Sequence, residues 1–355
     1  MINNFQDFVI DASISIREAM SILENLTKER YQSLYVVEQG RLIGTLSSSD
    51  IRRELISHDI ATNDKVISVI NKKFTAFEEG RQYTLEELTK LRKFYFLPVV
   101  NQNFEILKFE YVRKLIQKKN KVVLMAGGLG SRLKELTVDM PKPMLKIGTK
   151  PILEIIVEQF CKYNFNDFYI SVNYKPESIM NYFGTGDELD IDIKYLREHK
   201  RLGTAGCLSL IEETIKEPIF LMNGDILTNV NFENMLDFHI KNEFAITIAV
   251  VEHSTVVPYG VIEVDNDNVV KSIKEKPSIK SNVSAGIYIL NPELINLIPK
   301  ETFFDITSLF EILLANNKRI GIFQIDDYWM DIGSPENFHQ ANDDFSNIFS
   351  SSEIV

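Results

Sequence analysis

The sequence predicts an α/β protein of two domains, a small α+β domain made of two copies of one unit and a larger domain with a mostly parallel sheet. Three observations predict it. Residues 34–44 and 97–107 carry the same strand–turn–strand pattern at a constant offset. Apolar strands and helical stretches alternate from residue 121 onward. The length of 355 residues suits about two domains. Charged residues at 25% and hydrophobic residues at 45% are ordinary for a globular chain that buries a sizeable core.

In the first domain, Leu34-Tyr35-Val36-Val37 leads through Glu38-Gln39-Gly40 into Leu42-Ile43-Gly44. Leu97-Pro98-Val99-Val100 leads through Asn101-Gln102-Asn103 into Glu105-Ile106-Leu107. Apolar runs bounded by turn formers read as paired strands. Charged amphipathic segments follow each copy, at 49–56 and 110–118, and 14–26 has helical spacing as well. Two copies make one pseudo-symmetric domain, since a solenoid needs at least three. The expected boundaries are 1–118 for this domain, with copies at about 1–60 and 61–118, and 119–355 for the second. In the second domain, strands are expected at 121–125, 168–172, 191–195, 219–222 and 245–251. Helices are expected at 152–163, 176–183, 205–213 and 232–241. A strand-rich, antiparallel portion follows Pro258, and a closing helix occupies 335–349.

Composition excludes several function classes. With 39 Lys and Arg against 50 Asp and Glu, the net charge is −11, so a nucleic-acid partner is not expected. Small anions remain admissible, because a local nest of N–H groups binds phosphate on an acidic protein. Cys161 and Cys207 have neither metal-ligand spacing nor a disulfide framework. No apolar run approaches a membrane span, and the first ten residues lack the basic region of a signal peptide. A cytoplasmic protein without membrane contact is expected.

The chemistry gathers in the second domain. Gly127-Gly128-Leu129-Gly130-Ser131-Arg132 follows its first strand. Such a loop turns sharply and brings N–H groups near a phosphate. It lacks the Gly-Lys-Ser/Thr of a P-loop, and Leu133 stands where a dinucleotide fingerprint has its third glycine. Alone, it reads as a tight turn more readily than as a phosphate cradle. In Pro141-Lys142-Pro143, two prolines fix the backbone around one lysine. Arg132 and Lys142 together make a two-cation clamp for a polyphosphate. Asp225 and Asp331 each end an apolar run, where ligands bind in open α/β sheets, and together could hold Mg²⁺ between phosphate oxygens. A turn at Asn-Gly-Asp and a helix cap at Asp331 are the plain alternatives.

These motifs occur in order with Leu202-Gly203-Thr204-Ala205-Gly206, Glu275-Lys276-Pro277 and Trp329-Met330-Asp331-Ile332-Gly333. The set resembles the sugar-1-phosphate nucleotidyltransferases, or nucleotide-sugar pyrophosphorylases, from about Lys121 onward. The resemblance implies a Rossmann-like domain that transfers a nucleotide from an NTP to a sugar 1-phosphate with Mg²⁺, releasing pyrophosphate. Gly127, Gly128 and Gly130 would cradle the phosphates, with Gly203, Thr204 and Ala205 beside the base. Arg132, Lys142 and Asp225 would be catalytic, and Asp225 and Asp331 would hold the metal. Gly260, Glu275, Lys276 and Ser284 would face the sugar phosphate. The family usually has Asn where this chain has Ser284, which leaves the sugar open.

The first domain resembles a tandem CBS pair, which implies AMP or ATP binding with Ser47 near a phosphate and Asp50 on a ribose. In the second copy Glu110 and Arg113 stand opposite them, so one regulatory site is expected, and packing alone is an equal alternative. The domain order is similar to guanylyltransferases of bacterial surface glycan and nonulosonic acid synthesis, including a glucosamine-1-phosphate guanylyltransferase-like group, which implies GTP and a homo-oligomer. A catalytically inactive nucleotide sensor and a cytidylyl- or thymidylyltransferase are the competing readings.

Overall fold

The structure is a computed structural model and describes residues 5–27, 33–57, 60–91, 93–94 and 96–348. The chain divides after Gln117 into two compact units.

The first unit builds one motif twice. The first copy runs β1 (Val9–Asp11), α1 (Ile16–Thr27), β2 (Ser33–Glu38), β3 (Arg41–Ser47), α2 (Ser48–Ser57). The second runs β4 (Phe77–Glu78), α3 (Leu85–Lys90), β5 (Phe96–Val100), β6 (Ile106–Tyr111), α4 (Val112–Ile116). In each, the first strand pairs parallel with the second, and the second antiparallel with the third. Even the register shift recurs, at Val36/Val37 and at Val99/Val100. Gln39 and Gly40 both have positive φ, the backbone that a two-residue hairpin turn demands. The copies share a core: Phe96 and Val100 pack with Phe8, Leu34 and Val36, and the Tyr35 hydroxyl donates to the Phe96 carbonyl at 3.1 Å. The helix expected at 110–118 is shorter, because the ladder runs on through Glu110 and Tyr111, which face Leu97 and Phe96.

The second unit starts with β7 (Val122–Met125), a hairpin β8 (Lys146–Ile147) and β9 (Lys150–Pro151), α5 (Ile152–Lys162), β10 (Asp167–Val172), α6 (Pro176–Phe183) and β11 (Asp192–Arg197). It continues with α7 (Gly203–Gly206), β12 (Ile219–Asn223), β13 (Ile226–Thr228), α8 (Phe232–Asn242), β14 (Ile246–Val256), β15 (Val261–Val264) and β16 (Val270–Lys274). It closes with β17 (Ser278–Leu290), α9 (Ile306–Ala315), β18 (Ile320–Gln324), β19 (Trp329–Asp331) and α10 (Pro335–Ile348). The sheet has the order β11-β10-β7-β12-β17-β14-β18 and is parallel except where β17 meets β12 and β14.

Side-chain alternation explains why these strands are apolar throughout. Val122, Leu124, Phe220 and Met222 face a core with α5 and α8, where Phe160 stacks on Phe232 at 3.7 Å between ring centroids. Val123, Ile219 and Leu221 face the other way, toward Ile306, Leu309 and Leu313 of α9. The helix expected at 205–213 is cut to α7 and one 3-10 turn, Cys207–Leu210. The Ala205 and Gly206 N–H groups bond to the Phe304 carbonyl, which ties this turn to the start of α9. Helix α9 and edge strand β18 are not among the expected elements, although Ile306, Leu309, Phe310 and Leu313 have helical spacing. Past Ile248 a register shift carries β14 and β17 on as a ribbon, next to the hairpin β15–β16, which supplies the expected antiparallel portion.

Candidate active site

The site lies beyond the carboxyl ends of β7 and β12, neighbouring parallel strands with Met125 opposite Asn223. The chain leaves β7 toward β10 and β11 on one side and returns to β12 on the other, the switch point where such sheets leave a crevice. The glycine loop exits β7. Gly130 has φ +62°, and a Cβ there would come within 2.9 Å of Thr137 and 3.0 Å of the Lys142 side chain. The loop is therefore moulded onto the lysine turn, and the Thr137 hydroxyl donates to the Gly130 carbonyl at 3.0 Å. Around Gly128 there is open space.

Gly224 donates its N–H to the Met125 carbonyl at 2.9 Å, and a Cβ would meet that oxygen at 2.8 Å. Only glycine lets the chain cross here. Asp225 follows and enters β13, which pairs antiparallel with β19 so that Ile226 faces Asp331. The Ile332 N–H donates to the Asp225 carbonyl at 3.1 Å. This short ladder sets two carboxylates side by side although over a hundred residues separate them. Lys142, only 6% exposed in its Pro-Lys-Pro turn, reaches both: its Nζ lies 2.5 Å from Asp225 Oδ2 and 3.6 Å from Asp331 Oδ1.

Asp331 Oδ1 is buried and accepts no hydrogen bond. A buried acceptor without a hydrogen bond costs about 1–3 kcal/mol, and the Lys142 ammonium at 3.6 Å meets it only as an ion pair, so the fold leaves room for a cation or donor from outside the chain. Among the described residues no three His, Cys, Asp or Glu side chains converge. Two carboxylates with phosphate oxygens supplying the rest are the set Mg²⁺ takes, so these residues fit that ion. Gly128, Gly130, Arg132, Lys142 and Asp225 line one cavity of about 220 Å³.

The other predicted residues form separate groups. Glu275 Oε2 lies 3.1 Å from where a Gly260 Cβ would stand, so these two adjoin. Lys276 next to them has φ +44°, an uncommon backbone for a lysine. The Ser284 hydroxyl bonds that of Tyr288 at 3.0 Å. Two residues on, Gly286, with φ +70°, packs against Asn223, and the Trp329 indole donates to the Ala285 carbonyl at 2.9 Å. The strand carrying Ser284 is thus fastened to both aspartate-bearing segments.

Gly203, Thr204 and Ala205 are engaged within the protein. The Thr204 N–H and hydroxyl donate to Asp305 Oδ1 at 3.0 and 3.2 Å, and the Thr204 hydroxyl accepts the Ile306 N–H at 2.8 Å. Thr204 therefore does not cap its own helix. Ala205 has no exposed surface, so it shapes the loop and presents no donor.

In the first unit, Asp50 Oδ2 accepts the Ser47 N–H and hydroxyl at 3.0 and 2.6 Å, and the Asp50 N–H donates back to the Ser47 hydroxyl at 3.1 Å. This is a capping box at the start of α2. Arg53 donates to Asp50 Oδ1 at 2.9 Å. Arg113, at the corresponding place in the second copy, has its side chain outside the described residues.

Sequence reasoning missed Arg201, which lines the same cavity. It also missed Glu198, whose Oε2 accepts the Leu202 N–H at 2.9 Å and whose Oε1 accepts the Ser171 hydroxyl. The signal for Arg201 was its place in Lys200-Arg201-Leu202-Gly203, a basic pair against the small-residue motif. Glu198 offered none.

Residues 121–347 match the sequence model of the nucleotidyl transferase family, and residues 4–57 match that of the CBS domain. The chain belongs to the nucleotidyl transferase family and carries an N-terminal CBS domain. Mannose-1-phosphate guanyltransferase of Debaryomyces hansenii is 34% identical over 226 residues, or 61% of this chain and 62% of that protein. The protein of the same name from Saccharomyces cerevisiae is 32% identical with the same coverage. The chain thus spans about 62% of the length of these relatives. HddC from Yersinia pseudotuberculosis, complexed with GMP-PN, matches with a TM-score of 0.50 and 27% identity over 64% of this chain and 99% of that one. A Bacillus anthracis chain described as a glucose-1-phosphate thymidylyltransferase, with a sucrose bound, has a TM-score of 0.52 at 22% identity over 63% and 94% of the two chains, and shares the fold.

Proposed function

We propose that the protein is an enzyme that transfers a guanylyl group from GTP to a sugar 1-phosphate, giving a GDP-sugar and pyrophosphate. The observation that carries this reading is one buried lysine shared by two aspartates from segments far apart in the sequence, beneath a glycine loop that opens on a cavity with an arginine. The guanine preference draws on the likeness to mannose-1-phosphate guanyltransferases and to a structure complexed with GMP-PN.

In this reaction an oxygen of the sugar phosphate forms a bond to the α-phosphorus. The bond from that phosphorus to the bridging oxygen breaks, and its electron pair leaves with pyrophosphate. The nucleophile is already ionised at neutral pH, so no strong base is needed. Alignment and charge neutralisation carry the catalysis. The N–H groups of Gly127–Gly130 hold the phosphates. Arg132 offers a guanidinium to the departing pyrophosphate. Lys142, turned from its aspartates, neutralises charge between donor and acceptor phosphates. Glu275, Lys276, Gly260 and Ser284 receive the sugar phosphate, and the loop at Gly203–Ala205 stands beside the base. Asp225 and Asp331 would hold Mg²⁺, which when bound supplies positive charge at the α-phosphate.

The reading includes a role in bacterial surface glycan or nonulosonic acid synthesis, a cytoplasmic location and self-association. Among the described residues no helix is long and apolar enough to cross a membrane. It also includes regulation by AMP or ATP at Ser47 and Asp50, where a ribose hydroxyl would displace Arg53 from Asp50. If so, AMP or ATP changes the wild-type rate and leaves Asp50→Ala unresponsive; equal responses would contradict the regulatory part. Four NTPs assayed against a panel of sugar 1-phosphates test the main reading. Pyrophosphate release with GTP and one sugar phosphate supports it. Tight nucleotide binding without release in any pair would leave the nucleotide sensor, and release with CTP or dTTP alone would change the base.

A further inference from the structure

We propose that Arg201 is an additional phosphate-binding cation of this cavity and grips the outer phosphates of the nucleotide together with Arg132. The proposal rests on the reading of the cavity as a triphosphate site.

Two arginines from unrelated segments line one cavity. Arg132 comes from the turn after the glycine loop, and Arg201 from the loop between β11 and α7. Among the described residues neither guanidinium has a hydrogen bond or an ion pair, in a chain whose net charge is −11. Lys142 is different, because Asp225 and Asp331 already take up its charge. The cavity's free positive charge therefore sits on its two arginines. Two guanidinium forks facing one space match a pair of phosphates that each present several oxygens.

The backbone around Arg201 is fixed on both sides. The Glu198 N–H donates to the Val172 carbonyl at 2.9 Å, and the Asn173 amide donates to the Glu198 carbonyl at 2.7 Å. The Leu202 N–H is held by Glu198, and the Leu202 carbonyl accepts the Phe304 N–H at 2.7 Å. Glu198 Oε1 in turn lies 3.3 Å from where a Gly127 Cβ would stand, so the loop carrying Arg201 abuts the phosphate cradle. A cation carried on a backbone held this firmly, with no hydrogen bond or ion pair among the described residues, is available to a ligand in the cavity. The cradle, Arg132 and Arg201 share the cavity, whereas the base-side turn at 203–206 is bonded inward to Phe304 and Asp305, which favours phosphate over base as the target of Arg201.

The test compares wild type, Arg201→Gln and Arg201→Lys by titration calorimetry with pyrophosphate, GMP, GTP and ATP, and by turnover with GTP and the accepted sugar phosphate. Arg201→Gln is expected to weaken pyrophosphate, GTP and ATP about 10- to 100-fold while GMP stays within about twofold. Arg201→Lys should recover part of the loss. Unchanged pyrophosphate affinity in Arg201→Gln overturns the proposal. So does a loss confined to GTP and GMP, which would make Arg201 a reader of the base. If the wild type binds pyrophosphate yet forms no nucleotide-sugar with any pair, the enzymatic reading fails while the affinities still decide the role of Arg201.

Discussion

At the scale of single residues, Asp331 carries the most information. Its Oδ1 is buried and accepts no hydrogen bond, with the Lys142 ammonium 3.6 Å away. A protein that leaves a carboxylate oxygen without a hydrogen bond gives up stability for a ligand. Asp331→Asn is therefore expected to lower turnover about 100- to 1000-fold while the melting temperature holds or rises; a clear fall in both would mark Asp331 as structural. His239 is a contrasting case. It is 1% exposed, with Nδ1 at 2.8 Å from the Thr247 hydroxyl and Nε2 at 3.1 Å from Asn291 Oδ1. Burial lowers its pKa below the usual histidine value, and the Asn291 bond and the Glu293 charge oppose that only in part. The unfolded chain then binds the proton more readily than the folded one. Stability contributed by neutral His239 is present above about pH 6.5 and is lost as pH falls below it. Urea midpoints should drop between pH 7 and pH 5.5, with a shallower drop in His239→Gln. An equal drop in both would assign the effect to other groups.

At the scale of elements, two short pieces set the site. The ladder β13–β19 spans three residues on each strand and places both aspartates. Trp329 fastens it by donating to the Ala285 carbonyl on β17. Trp329→Phe is expected to cost about 1–2 kcal/mol, from the lost hydrogen bond and lost packing, and to raise KM for the sugar phosphate through the neighbouring Ser284. Denaturant titration with steady-state kinetics checks this, and unchanged kinetics with reduced stability would separate the ladder from the sugar side. Legibility also varied at this scale. Compact apolar runs such as 122–125 and 219–223 were readable because both faces are buried and no alternation is needed. The helix expected at 205–213 is shorter because α7 tightens into a 3-10 turn that ends at Leu210, with Ile211 already extended, while the Ala205 and Gly206 N–H groups anchor its start to Phe304, about a hundred residues away. β18 was invisible, since Gly321 lies under the Phe244 ring on a sheet edge, a fit that no local pattern announces.

At the scale of the whole molecule, the strand–turn–strand repeat in the first unit was readable, because both copies solve the same packing problem with similar residues, while the matching register shifts show only in the fold. The second unit's class was readable from the order of its motifs. The meeting of Lys142, Asp225 and Asp331 was expected from the motifs, but what brings it about is tertiary: Gly224 crossing over Met125, and β13 finding β19. Arg201 escaped notice for the same reason, since only the fold shows that its cavity is that of the glycine loop.

The most direct test of the central claim is single-turnover pyrophosphate release with saturating GTP, sugar 1-phosphate and Mg²⁺, compared between wild type and Lys142→Ala. The account predicts rapid release by the wild type and a rate at least about 100-fold lower in the variant, with the fold intact. Near wild-type release from Lys142→Ala would contradict it, because the chemistry would then not pass through the one point where the lysine and both aspartates meet.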